Sequence, residues 1–287
     1  MTKQSLVFGT VGSPKSTPKK PGGSPGAAMR IRELGMGALE LGWVRSVRVK
    51  EETCAIIKEA GADNNVLLSV HASYFFNLNA TEEEWPKSRK RLMDAAYYGN
   101  LAGATDIIFH PGSYFGRPAA EVLEVAIPRL RSVVEELREN DNPVIMRPET
   151  MGKGAMLGSL EDTIIMSQEI EGVAPCIDFA HLHARPGDGS VNSKKEFEAI
   201  LKKLKKGLGA KALKTIHIHM SGIEYGPKGE KKHLPLKEAD IKYRVLMKVL
   251  TEHKCAGRVL MEGPPMEDDA LLLKKSYQNA QKALSKK

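Results

Sequence analysis

The sequence predicts an α/β protein in which residues 1–287 form a single TIM (β/α)8 barrel domain. Two observations lead to this prediction. Short apolar runs rich in β-branched residues recur along the chain, and segments with the i, i+3, i+4 apolar spacing of helices separate most of them. The eight runs cover residues 6–12, 38–44, 66–74, 106–114, 143–149, 174–181, 215–222 and 258–265. Such alternation is typical of parallel strands joined by helical crossovers.

The number of runs favours a closed barrel over an open sheet. An open dinucleotide-binding sheet carries GxGxxG after its first strand, and no such motif follows residues 6–12. Residues 12–26, GSPKSTPKKPGGSPG, are predicted to form an irregular Gly-, Pro- and Lys-rich loop after strand one. Because that loop lies at the catalytic end of a barrel, Lys15, Lys19 and Lys20 could meet phosphate groups there, or remain solvated.

The composition is that of a soluble globular protein, with 41% apolar and 27% charged residues. A formal net charge of +8 permits attraction to phosphates, although an ordinary basic protein has the same balance. Cys54, Cys176 and Cys255 show no CxxC and no disulfide spacing, so we expect a cytoplasmic protein. No run approaches the ~20 apolar residues of a membrane span, and the first residues do not resemble an export signal, so no membrane association is expected.

Residues that bind metals recur at the ends of the predicted strands. Since the carboxyl ends of barrel strands meet around one axis, these residues should converge although they are remote in the sequence. Buried carboxylates and imidazoles are costly unless they are paired or coordinated, so their clustering indicates bound cations. Mixed nitrogen and oxygen ligands favour zinc, with manganese or iron as alternatives. The predicted metal ligands of this rim are His71, His110, Glu149, Asp178, His181, His219 and Glu262.

Several segments together resemble the endonuclease IV family of abasic-site endonucleases, of which this chain would be a divergent member. The matching segments run in family order from residue 66 to residue 265: VHASYFFNLN, IIFHPGSYFG, the Glu of IMRPET, CIDFAH, the second His of IHIHMSG, and LMEGPP. The resemblance implies two or three zinc ions and hydrolysis of the phosphodiester 5′ to an abasic site in double-stranded DNA. Metal ions can supply hydroxide near neutral pH and stabilise charge on the attacking and leaving oxygens.

The family pattern assigns a role to each strand-end residue. By resemblance, His71 and His110 would hold one zinc, and Glu149 would bridge it to a second. Asp178, His219 and Glu262 would also hold the second zinc, and Glu262 would in addition orient the attacking water. His181 and His233 would belong to a third site. Glu149 and Glu262 are therefore the predicted catalytic residues.

The third site departs from the family pattern. Where the family has Asp-x-His, alignment of LKEADI at 236–241 places Lys231 at the Asp and His233 at the His. A lysine ammonium cannot bind zinc. Either Glu230 or His183 replaces the missing ligand, or the third metal is absent and Lys231 binds a DNA phosphate instead.

Other side chains near the predicted site have two interpretations. Tyr74 and Phe75 stand where the family inserts a Tyr and an apolar residue into the DNA stack, although an aromatic pair packed under the loop would give the same pattern. His217 points the same way as His219 and should lie one layer deeper in the barrel. Arg147 faces the side of Glu149, where it would hold a phosphate or pair with a ligating carboxylate; a structural salt bridge is the other possibility.

The sequence leaves three functions open. The first is the DNA-repair endonuclease, acting on damaged double-stranded DNA as a monomer. The second is a sugar isomerase or epimerase, whose single metal would need only Glu149, Asp178, His219 and Glu262. The additional histidines argue against this second function. The third is a protein that binds nucleic acid on the same barrel without catalysis, for which Lys231 is the argument.

Overall fold

Eight parallel strands form the barrel in the computed structural model, which describes residues 5–286. The barrel strands follow the order β6-β4-β3-β2-β1-β12-β9-β8, and two short ribbons, β5-β7 and β10-β11, complete the sheets of these residues. The strands are β1 (Leu6–Val11), β2 (Ala38–Gly42), β3 (Leu67–His71), β4 (Ala104–Phe109), β5 (Gly112–Ser113), β6 (Ile145–Pro148), β7 (Met156–Leu157), β8 (Cys176–Asp178), β9 (Ile216–Met220), β10 (Gly222–Gly226), β11 (Gly229–Leu234) and β12 (Gly257–Met261).

Helices follow the barrel strands and surround the sheet. They are α1 (Gly23–Glu33), α2 (Glu51–Asp63), α3 (Trp85–Leu101), α4 (Ala119–Glu139), α5 (Leu160–Glu169), α6 (Phe179–Ala184), α7 (Lys194–Leu208), α8 (Tyr243–Glu252) and α9 (Glu267–Leu284), with a short 3₁₀ helix at Ala210–Lys214. Their apolar faces pack on the outside of the barrel in one continuous hydrophobic core. Among the described helices, none combines the length and the apolar character needed to cross a membrane.

The predicted barrel is confirmed, and each of the eight apolar runs overlaps one barrel strand. Each predicted run extends past the last residue of its strand. In residues 174–181 the strand ends at Asp178, because the Asp178 carboxylate accepts a hydrogen bond from His181 N at 2.7 Å and begins α6. Between β6 and β8 the barrel is joined only by isolated bridges, Met146 to Val173 and Glu149 to Cys176.

The Gly-, Pro- and Lys-rich segment is more ordered than its composition predicts. Its last residues, from Gly23, form the first turn of α1. The preceding part is attached to the start of α9, because the Glu267 carboxylate accepts hydrogen bonds from the backbone N–H groups of Lys15 and Ser16, both at 2.8 Å. The side chains of Lys15, Lys19 and Lys20 are exposed.

A buried ion-pair network lies at the amino-terminal end of the barrel. The Arg147 guanidinium donates to Asp106 Oδ1, and Arg258 Nη2 lies 3.0 Å from Asp106 Oδ2. Burial alone would raise the pKa of Asp106, but the two guanidinium groups hold it below its usual range. Arg147 therefore forms the structural salt bridge that was one of its predicted roles.

Candidate metal centre

The predicted ligands lie together at the carboxyl end of the barrel. His71 and Asp178 are the last residues of β3 and β8, and His219 lies near the end of β9. His110, Glu149 and Glu262 directly follow β4, β6 and β12, in that order. Parallel strands of similar length end on one rim, which is why residues about 40 positions apart converge here. The ligand atoms form overlapping groups of the kind that can hold a metal ion.

Glu149 stands at the centre of the cluster. Its Oε2 atom lies 3.4 Å from His71 Nε2 and 3.2 Å from His110 Nε2. Its Oε1 atom lies 3.0 Å from His219 Nδ1. The two oxygens thus face two different sets of histidines, which is the arrangement a carboxylate needs to bridge two cations.

A second group of possible metal ligands combines Glu149 with Asp178, His219 and Glu262. His219 Nδ1 lies 3.3 Å from Glu262 Oε1. Asp178 is fully buried, and burial together with Glu149 and Glu262 raises the pKa of its carboxyl. Three carboxylates and one imidazole in a small volume form a set that suits a divalent cation.

Hydrogen bonds fix the orientation of two histidine rings. His71 Nδ1 donates to Ala72 O at 2.9 Å, and His181 Nδ1 donates to Thr150 O at 3.0 Å, because a carbonyl oxygen can only accept. Each ring therefore directs its Nε2 lone pair into the cluster. Such outer partners are the usual means of preparing a histidine for metal binding.

Glu40, a fully buried carboxylate in β2, also contacts the cluster and was not predicted from the sequence. Its Oε2 atom accepts from Ser69 Oγ at 2.7 Å and from His217 Nε2 at 3.0 Å, and its Oε1 atom lies 3.0 Å from His219 Nε2. Burial alone would raise the pKa of Glu40, but His219 and His217 hold it below its usual range. A carboxylate within an apolar strand run was the signal that could have revealed it.

A third group of side chains contains His181, Glu230 and His233. His181 Nε2 lies 3.6 Å from Glu230 Oε2 and 3.4 Å from His233 Nε2, and His233 Nε2 lies 3.8 Å from Glu230 Oε1. Gly152 makes room for the group, since a Cβ atom there would lie 2.7 Å from Glu230 Oε2. Burial alone would raise the pKa of Glu230, but the two imidazoles lower it to about 2.

A β-bulge explains why Glu230 and not Lys231 joins this group. In the β10-β11 ribbon Glu224 pairs with Lys232 and Tyr225 pairs with Glu230, so Lys231 is an extra residue in β11. One extra residue reverses the inward and outward alternation of a strand. Lys231 and Lys232 accordingly both lie 3.3 Å from the Glu224 carboxylate, on the exposed side. Glu230 and His233 share the opposite side.

His183 and Lys231 both lie away from the third group. His183 Nε2 lies 3.0 Å from Asp240 Oδ1 and its Nδ1 lies 2.6 Å from Ser190 O, outside the group around His181. The Lys231 side chain is more than half exposed and points away from the cluster. Of the two predicted replacements for the missing ligand, Glu230 lies in the third group and His183 does not, and the bulge moves Lys231 to the outer face.

Tyr74 and Phe75 differ in their surroundings. The Tyr74 ring lies against the imidazoles of His110 and His71, with centroid distances of 4.9 and 5.3 Å. Phe75 is 65% exposed at the edge of the cluster. The pair is thus not packed beneath the loop, and Phe75 is available to a ligand that approaches the metal centre.

The cluster as a whole has the chemistry of a cation site. Three of its fully buried atoms, His71 Nε2, Glu149 Oε2 and Asp178 Oδ2, have no hydrogen-bond partner among the described residues. Buried polar atoms without partners cost several kcal/mol each unless a cation is coordinated. Burial alone would lower the pKa of His71, but the carboxylates around it, Glu149 first, raise it to about 9. The same negative field attracts metal ions, so the residues fit divalent cations.

Comparison with known proteins defines the class of this protein. Residues 29–285 match the family described as the xylose isomerase-like TIM barrel, and the chain belongs to that family. A similar chain, an uncharacterised protein of Methanocaldococcus jannaschii, is 38% identical over 273 residues, which cover 95% of this chain and 97% of that protein.

Other similar proteins carry two kinds of name, endonuclease and epimerase-like. A probable endonuclease 4 of Staphylococcus carnosus is 30% identical over 179 residues, which cover 59% of this chain and 56% of that protein. Endonuclease IV from Thermus thermophilus has a TM-score of 0.71 at 20% identity, covering 95% of this chain and 99% of that chain. A D-tagatose 3-epimerase-like protein has a TM-score of 0.72 at 18% identity, covering 98% of this chain and 99% of that chain. At these identities the structural likeness shows the fold alone.

Proposed function

We propose that the protein is a metal-dependent endonuclease that hydrolyses the phosphodiester 5′ to abasic sites in double-stranded DNA. The single observation that carries the proposal is the third group, His181, Glu230 and His233, beside the groups centred on Glu149. An enzyme with one metal needs only the second group, Glu149, Asp178, His219 and Glu262. Phosphodiester hydrolysis benefits from several closely spaced cations, since charge develops on the attacking and leaving oxygens at once.

In this reaction some side chains would hold cations and another would accept a proton. Bound divalent cations, with zinc the first choice and manganese or iron as alternatives, would supply a hydroxide near neutral pH and neutralise the phosphate. His71 and His110 would hold one cation with Glu149, and His181, Glu230 and His233 would hold another. Glu262, which is partly exposed and has its Oε1 atom 3.3 Å from His219 Nδ1, would accept a proton from the attacking water.

The surroundings of the centre suit a nucleic acid. Phe75 stands exposed at its edge, where it would occupy the space that a damaged nucleotide leaves in the base stack. The net charge of +8 would favour approach to a polyanion. Each ligand group comes from one chain, so we propose that a monomer is active. Lys231, on the outer face of β11, would at most contact a phosphate at the periphery.

Incision of a defined duplex tests the proposal. The zinc-loaded protein should cut a labelled duplex with one abasic site on the 5′ side of that site, leave a 3′-hydroxyl, and spare the same duplex without the lesion. A chelator should abolish the cut, and zinc should restore it. His71→Ala should remove the activity, whereas His253→Ala, outside the cluster, should not. An intact abasic duplex after incubation with metal-replete protein would refute the proposal.

The alternative function is a sugar epimerase or isomerase with one metal. It is supported by the Glu149, Asp178, His219 and Glu262 group and by the similarity to a D-tagatose 3-epimerase-like protein. In that case His110→Ala should leave turnover of a free ketose largely intact, because His110 lies outside the group. Ketose turnover that survives His110→Ala, together with no incision, would favour the alternative.

A further inference from the structure

Two neighbouring loops of the metal-bearing rim carry the same tripeptide, Ser-Tyr-Phe. Ser73, Tyr74 and Phe75 follow β3, and residues 113–115 follow β4. In both loops the serine Oγ accepts a hydrogen bond from the phenylalanine N–H, at 3.2 Å in each case. The same hydrogen bond thus precedes two exposed phenylalanine side chains. Phe75 is 65% exposed and Phe115 is 66% exposed.

In both loops the tyrosine is held while the phenylalanine is left free. Tyr74 packs on His71 and His110. Tyr114 donates its hydroxyl to the Asp162 carboxylate and its N–H to Ala155 O at 3.1 Å. Phe115 therefore stands on a rigid support. A loop that is already ordered loses little conformational entropy when it binds a ligand.

The backbone at Phe115 is unfavourable for this residue type. Phe115 has a φ of 50° and Gly116 a φ of 75°, and Arg117 N donates to Tyr114 O at 3.0 Å across them. A turn with positive φ at both central positions favours Asn-Gly, and a bulky residue there is strained. Neither burial nor packing compensates for the strain, since the side chain is exposed. Strain of this kind is concentrated at ligand-binding sites.

The loops of Phe75 and Phe115 are joined to each other and lie beside two arginine side chains. Asn79 Nδ2 donates to Ser113 O at 2.9 Å, which ties the loop after β3 to the loop after β4. Arg91 Nη1 donates to Phe75 O, and Arg117 Nη1 donates to Asn79 Oδ1. Exposed aromatic rings accompanied by basic side chains are typical of surfaces that bind unstacked bases and their phosphates.

From these observations, and resting on the proposed function, we infer that Phe115 is a second base-contacting residue. It stacks on a nucleobase of the DNA on the β4 side of the metal centre, as Phe75 does on the β3 side. The ligand of this surface is a nucleobase beside the lesion, exposed because the stack is interrupted there.

Single-turnover incision of an abasic duplex, with the protein in excess at increasing concentration, tests this inference. The half-saturating concentration reports DNA binding, and the plateau rate reports chemistry. Phe115→Asn suits the turn and removes the ring. We expect it to raise the half-saturating concentration about 10-fold or more, the scale of one stacking contact. Its melting temperature should equal or exceed that of the parent, and its metal content should be unchanged.

Two further variants complete the test. Phe115→Trp should bind DNA like the parent, because it restores a stacking surface. Leu284→Asn removes a 42% exposed apolar side chain at the far end of α9 and should have no effect on DNA binding. If Phe115→Asn incises with the same half-saturating concentration as the parent, the inference is overturned and the endonuclease proposal stays intact. A parent protein that fails to incise would overturn both.

Discussion

Replacing Glu40 by glutamine should weaken metal binding, although Glu40 is not among the predicted ligands. One carboxylate oxygen accepts from Ser69 Oγ and His217 Nε2, and the other faces His219 Nε2 at 3.0 Å. A glutamine has one accepting oxygen and one donating nitrogen. If its oxygen serves Ser69 and His217, its NH2 group faces His219 Nε2, which must then give up its proton.

This loss of the Nε2 proton changes the other ring nitrogen of His219, Nδ1, which faces the metal ligands. With Nε2 unprotonated, the ring proton moves to Nδ1, which faces Glu149 Oε1 at 3.0 Å and Glu262 Oε1 at 3.3 Å. A protonated Nδ1 cannot bind a metal. Changes in the outer partner of a metal-binding histidine typically cost about 10- to 100-fold in metal affinity, which corresponds to about 1.4–2.7 kcal/mol.

Competition with a chromogenic chelator near neutral pH measures this effect directly. Glu40→Gln should release one metal ion at a chelator concentration about 10- to 100-fold lower than the parent requires. Ser69→Ala is the matched control, because it removes a hydrogen bond to the same carboxylate and keeps its charge. Parent-like metal retention in Glu40→Gln, or an equal loss in Ser69→Ala, would refute this reasoning.

Two predictions concern stability. Asp106→Asn leaves Arg147 and Arg258 buried with a neutral partner and should cost about 3–5 kcal/mol by urea unfolding. Because the pKa of Asp106 is lowered in the folded state, its stabilisation is complete above the unfolded pKa of about 3.9 and is lost as the pH falls towards the folded pKa. The difference from the parent should therefore stay constant from about pH 8 to pH 5 and shrink below about pH 4; a difference that grows on acidification would contradict the ion pair. Ser159→Ala removes the capping box with Asp162 and should lower the melting temperature by about 2–4 °C, whereas an unchanged value would show that α5 does not depend on its cap.

Much of the site could be predicted from the sequence because barrel geometry converts strand order into spatial proximity. His71, His110 and Glu149 each lie at or directly after the end of a strand, and the parallel strands of a barrel bring such ends to one rim. The prediction needed only the position of each residue relative to its strand. His217 was predictable in the same way, from the alternation of side chains in β9.

The third group could not be predicted in the same way, because it depends on strand pairing. Residues 222–234 lack the alternating apolar pattern of a strand, so the β10-β11 ribbon was not predicted. Whether Glu230 or Lys231 faces His181 is decided by a register shift opposite Glu224, which no local residue preference specifies. The turn at Phe115 was also missed, since its φ contradicts the preference of its residue type.

The central claim is that the bulge in β11 completes the third group of metal ligands. The metal content of three purified proteins tests this claim most directly. The parent and Lys231→Asp should each hold three metal ions per chain, because residue 231 lies on the outer face of β11. Glu230→Ala should hold two, because it removes the only carboxylate of that group. Two ions in the parent that rise to three in Lys231→Asp would contradict the account, since position 231 would then be the ligand position.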